Sequence, residues 1–142
     1  MTTYSNLEKR EIIYSHYEKP NNFLKYQDAK SILDHSNTGC ADNLVLNVEI
    51  KNNILTNASF NGIGCSIFIA ATDIMIDILK NKTIDEIKII IQEYENMILN
   101  SKVNNMEILG DLVIFENVKI HLNRVECAII ISRSFKKALN IE

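Results

Sequence analysis

The chain has no long apolar run, no basic tract and no closely spaced cysteine pair. Each absence excludes something. A membrane-spanning helix needs roughly 18 or more consecutive apolar residues. The longest candidate, Ile63 to Ala71, is shorter and is interrupted by Gly64, Cys65 and Ser66. Nucleic-acid binders usually carry a basic stripe, whereas this chain has a net charge of -3 and only short basic runs such as Arg133 to Lys137. Met1 to Lys9 has no apolar leader core, so a reducing, cytoplasmic setting is expected. The cysteines number three, an odd count that suits no disulfide framework. In such a setting they are either buried core thiols or ligands of a metal site.

What is present reads as one soluble globular domain spanning 1–142, with 46% apolar and 23% charged residues. Leu7 to Tyr17 is predicted helical, with Leu7, Ile12 or Ile13, and Tyr17 on one face, and Pro20-Asn21-Asn22 stops it. Phe23 to Gly39 is polar and reads as a loop. Leu44 to Lys51 alternates, placing Leu44, Leu46, Val48 and Ile50 on one side. Asn52-Asn53 is a tight turn and Ile54 to Phe60 the returning strand. Gly62 and Gly64 bracket a bend into Cys65, after which Ile67, Ala70 or Ala71, Ile74 and Ile78 follow a helical period to Asn81. Thr83 and Glu86 form a capping box for a helix from Ile84 to Leu99. Ile89-Ile90-Ile91 belongs to the core or an interface. Met106 to Arg124 has no clear period, Leu109 to Leu112 being its most defined turn. Cys127 to Leu139 closes the chain as a helix, with Lys136-Lys137 favourable near its C-terminus.

Each cysteine lies at a junction between these expected elements. Cys40 precedes the first strand, Cys65 opens the second helix and Cys127 opens the last. Helix N-termini lower a thiol's pKa, and the thiolate is the form that binds metal and exchanges sulfur. Asp42 follows Cys40 by two residues, a spacing that in extended chain points both side chains the same way. Three sulfurs and one carboxylate oxygen complete a tetrahedral set, with Zn–S near about 2.3 Å and Zn–O about 2.0–2.2 Å. Scattered single cysteines are also ordinary small hydrophobes, and spacing alone does not choose between the two.

Motif context does. His16-Tyr17-Glu18-Lys19-Pro20-Asn21-Asn22, Gly39-Cys40-Ala41-Asp42, Phe60-Asn61-Gly62-Ile63-Gly64-Cys65-Ser66-Ile67 and Arg124-Val125-Glu126-Cys127-Ala128 appear in this order. Together they resemble the U-type scaffold family of iron–sulfur cluster assembly (IscU, SufU and the N-terminal part of NifU). The resemblance implies an α+β fold of the SufE/NifU-like kind, a small antiparallel sheet of about three strands packed against several helices. It also implies that Cys40, Asp42, Cys65 and Cys127 are the ligands of Zn²⁺ or, alternatively, of iron or a transient 2Fe–2S cluster.

The branch follows from details. Glu126 stands where the IscU type has a histidine, and no proline follows Pro20 to supply that type's chaperone motif. The long stretch containing Leu109-Gly110-Asp111-Leu112, and Arg124 before the last cysteine, are similar to the SufU branch. SufU-type proteins are zinc-dependent sulfur acceptors. The resemblance thus implies that Cys40 takes persulfide sulfur from a cysteine desulfurase of the SufS, IscS or NifS type and passes it to a downstream scaffold or apo-protein. Cys40 and Arg124 would carry the chemistry of a sulfurtransferase. Scaffolding of a cluster on the same ligands, or a zinc-stabilised interaction module without sulfur chemistry, are the alternatives. His16 is read as structural or surface, His35 as a loop residue with a transient ligand role as its alternative, His121 as a partner-surface residue before a ligand, and Arg124 either as stabilising a thiolate at Cys40 or Cys127 or as pairing with an acid.

Overall fold

Strand alternation and an Asn-Asn turn build the centre of the molecule. The computed structural model describes residues 4–24, 32–34, 41–100, 102–118 and 122–141. Strands β2 (Ala41–Lys51) and β3 (Ile54–Gly64) form an antiparallel hairpin. Asn52 and Asn53 join them at φ of 54° and 65°, a left-handed pair that asparagine tolerates and that matches strand twist. A short strand β1 (Ile32–Asp34) pairs with β2 through Ile32 and Leu46, giving the order β1-β2-β3. The expected loop from Phe23 to Gly39 therefore contains a strand. Three residues are too few to display a period, and pairing alone defines this one.

The expected face of β2 holds for Leu44 and Leu46, both wholly buried, but Ile50 is 43% exposed. Ile50 sits opposite the buried Leu55, one residue before the end of β2, and the register shift beside it places the extra residue, Thr56, on β3. Val45, expected on the polar face, is buried, so β2 is covered on both sides from Leu44 to Leu46.

Helix α2 (Ser66–Leu79) is the central post: ten of its fourteen residues are buried. It touches β3, the first and last helices of the chain and the 3-10 helix at 106–115. After Asn81, at φ 68°, the capping box forms as read from sequence: Glu86 N–H donates to Thr83 Oγ1 at 3.2 Å and Thr83 N–H to Glu86 Oε1 at 3.0 Å. Helix α3 (Ile84–Asn100) buries Ile87, Ile90, Ile91, Tyr94, Met97 and Ile98. Burial, then the nearby Glu95 charge, raises the Tyr94 phenol's pKa, and its O–H donates to Ala128 O at 2.6 Å. A 3-10 helix (Met106–Phe115) follows, kinked at Gly110, whose φ is 52°. Lys136 pairs with Glu95 across α3 and the last helix.

Two helices depart from expectation. Helix α4 runs from Leu122 to Leu139 and starts five residues before Cys127; polar Asn123, Arg124 and Glu126 obscure its first turns in the sequence. Helix α1 (Asn6–Glu18) buries no residue. Leu7 and Tyr17 are 64% and 44% exposed, and Lys9, Ile12, Ile13 and His16 are its half-buried positions. Polar contacts fix its rotation. Tyr4 O–H, just before the helix, donates to Asp111 at 2.6 Å; Lys9 pairs with Glu116 at 2.9 Å, and His16 with Asp73.

Candidate functional site

Strand β3 runs through Gly62, Ile63 and Gly64 directly into Cys65, the N-cap of α2. Its extended backbone (φ −74°, ψ 168°) lets the sulfur accept the Phe68 N–H at 3.4 Å. The thiol thus stands in for a capping hydroxyl, at the positive end of a long buried helix. Cys65 is half-buried and a free thiol.

Asp42 lies across from this junction. Ala41 pairs with Gly64 and Asn43 with Ile63, with a register shift between them. Asp42 is therefore the extra residue of a bulge on β2. The backbones of Asp42 and Cys65 are brought together by the hairpin itself.

Cys127 corrects the expectation made of it. It does not open the last helix but lies in its second turn, so its amide is spent inside the helix and the terminal dipole does not act on it. It is 2% exposed and disulfide-bonded. It belongs to the same core cluster that Cys65 packs against. Arg124 is exposed in the first turn of α4, one turn before Cys127. Cys40, His35 and His121 lie outside the described residues.

A second cluster was not anticipated from sequence. Asp73, within the apolar run of α2, is wholly buried. Its Oδ1 accepts Asn22 N–H and Asn22 Nδ2–H, both at 2.9 Å. Its Oδ2 accepts Asn21 N–H at 3.0 Å and His16 Nδ1–H at 2.6 Å. Asp77 accepts the side-chain amides of Asn21 and Asn22. Ligand atoms of His16, Asp73 and Asp77 lie within 4.8 Å of one another, a spacing that could suit a cation. Four donors, however, already fill the roughly four lone-pair sites of the Asp73 carboxylate. The cluster is a structural clasp, and it explains the His16 to Asn22 motif: these residues dock onto α2. From there Leu24 N–H bonds to Phe60 O and Phe60 N–H to Asn22 O, so the clasp also fixes the segment against β3. An acidic residue inside the run Ile67 to Ile78 was the available signal.

Residues 8–128 match the NifU-like N-terminal domain family. The chain belongs to that family. The zinc-dependent sulfurtransferase SufU of Bacillus subtilis is 26% identical over 130 residues, covering 92% of this chain and 88% of that protein. The iron–sulfur cluster assembly scaffold protein IscU of Thermotoga maritima is 27% identical over 115 residues, covering 81% and 80%. The crystal structure of FiSufU from Fervidobacterium islandicum AW-1 superposes with a TM-score of 0.78 at 26% identity, over 96% of each chain. The α+β fold of the NifU-like family, expected from the motifs, is the fold observed.

Sulfur and carboxylate oxygen are ordinary zinc ligands, and thiolates also hold iron–sulfur clusters. Cys65 presents a half-buried thiol rather than a core one, and the Asp42 backbone lies beside it. Ligation by Cys127 requires its sulfur in the reduced thiolate form.

Proposed function

We propose that this NifU-like chain works in iron–sulfur cluster assembly as a zinc-dependent sulfur acceptor for a cysteine desulfurase, in a reducing cytoplasm. The observation that carries the reading is the Cys65 junction: a free, half-buried thiol capping α2, with Asp42 delivered beside it by the β2 bulge. The likeness to the Bacillus sulfurtransferase over nearly the whole chain supports it.

Cys40, Asp42, Cys65 and Cys127 would hold the zinc. The ion would supply charge that keeps thiols ionised and shielded from oxidation. The chemistry belongs to the residues. The Cys40 thiolate attacks the outer sulfur of the desulfurase persulfide. That S–S bond breaks, a new one forms on Cys40, and the desulfurase cysteine leaves as thiolate, with no net oxidation. Arg124, exposed one turn before Cys127, supplies positive charge near the thiolates. A downstream scaffold or apo-protein then takes the sulfur by the same exchange.

Incubation of the reduced protein with a desulfurase and cysteine should yield a sulfur adduct by mass spectrometry, lost in Cys40→Ala. Elemental analysis should find one zinc per chain, weakened by Asp42→Ala. Iron with acid-labile sulfide in place of zinc would move the assignment to a 2Fe–2S scaffold on the same ligands. Zinc with no adduct under any condition would leave an interaction module.

A further inference from the structure

At the far end of α2 from Cys65 lies a groove of about 440 Å³ that the sulfur chemistry does not use. Three elements meet there without closing. Ile78 comes from α2, Ile89 and Ile90 from α3, and Ile108 from the 3-10 helix. Gly110 keeps it open. Its φ of 52° disfavours any side chain, and a Cβ there would stand 3.3 Å from the Cδ1 of Ile78. Ile90 is buried, but Ile89 on the lip is 57% exposed, although it continues an apolar run of the kind that usually packs inside.

The rim has one sign. Asp77, Glu86 and Glu107 are exposed around it, against a single Lys82. A concave apolar floor inside a mostly acidic rim complements one chemistry: a segment presenting apolar anchors flanked by lysine or arginine. Thirteen residues of helix, about 20 Å at 1.5 Å per residue, separate Ile78 from Cys65. An occupant of the groove therefore need not compete with a partner engaged at the cysteines.

From this apolar floor and acidic rim we infer that the α2–α3–3-10 groove is a docking site for a basic, amphipathic segment of a partner protein. The floor supplies affinity, and the rim selects the sign of charge and speeds encounter.

The full-length protein is titrated with a fluorescent helical peptide having one leucine face and one lysine face, followed by anisotropy. Matched peptides with glutamate in place of lysine, and with the same residues scrambled out of register, are run alongside. The lysine peptide should bind, and the other two should not. Ile89→Ser should weaken binding about tenfold, as loss of one central anchor does. Glu107→Lys should weaken it several-fold and flatten its salt dependence. Ile89 and Glu107 are exposed, so both variants should fold, which circular dichroism checks. Leu99→Ser, exposed elsewhere on α3, should bind as the parent does. Equal binding of the scrambled or glutamate peptide, indifference to both groove variants, or no binding at all would overturn the assignment. So would sedimentation showing a dimer that Ile89→Ser dissociates, since the groove would then seat a second copy of this chain.

Discussion

Helices α1 and α2 lie against each other and are held by opposite means. Helix α2 is buried along ten of fourteen residues and is secured by apolar packing. Helix α1 buries none fully: half-buried Ile12 and Ile13 rest against the core, and directional contacts through Tyr4, Lys9 and His16 secure its orientation. Packing tolerates approximate fits and yields bulk stability; hydrogen bonds to a buried carboxylate demand one geometry and fail abruptly. The fold thus uses burial to make a post, and a polar clasp at Asp73 to set what leans on it.

The comparison breaks first where packing is removed. Phe68→Ala in α2, wholly buried, should cost about 3–5 kcal/mol and lower the urea midpoint of the entire molecule. Asp73→Ala should come next, at about 2–4 kcal/mol, because the buried amide of Asn22 and the part-buried amide of Asn21 lose their acceptor. Its distinguishing mark is regional: amide exchange should accelerate across α1 more than across α3. Uniform acceleration would mean that the clasp is simply part of the core. Tyr4→Phe, which removes one half-buried hydrogen bond, should cost about 1 kcal/mol in thermal or urea unfolding.

Smaller still are the helix caps. Glu8 and Glu86 have lowered pKa values because they accept the Ser5 and Thr83 backbone N–H groups. A carboxyl lowered by folding adds stability above its unfolded value and loses it as pH falls through the folded one. Unfolding titrations should thus show an acid limb below about pH 4 that is shallower in Glu86→Gln. Leu7→Ala, on the exposed face of α1, should change stability by no more than about 0.5 kcal/mol.

Legibility in the sequence followed the same divide. The hairpin, the Asn52-Asn53 turn, α2, α3 and the Thr83–Glu86 box were readable because period, turn chemistry and capping are local. The face of α1 was misread because apolar Leu7 and Tyr17 point outward, while its partners lie more than fifty residues away. β1 was invisible because only pairing defines it. At the site, order and motif context pointed to the family. The Asp42 bulge and the Asp73 clasp required the third dimension. The helix N-terminus assigned to Cys127 was wrong because polar residues hid the first turns of α4.

That last position constrains the chemistry. With its backbone on a continuous helix and its side chain 2% exposed, Cys127, once reduced, can reposition its sulfur only by rotation about its own side-chain bond. Any sulfur that must swing out to meet another protein has to hang from a different part of the chain. Among the three cysteines, this one is the fixed hinge pin and never the swinging arm.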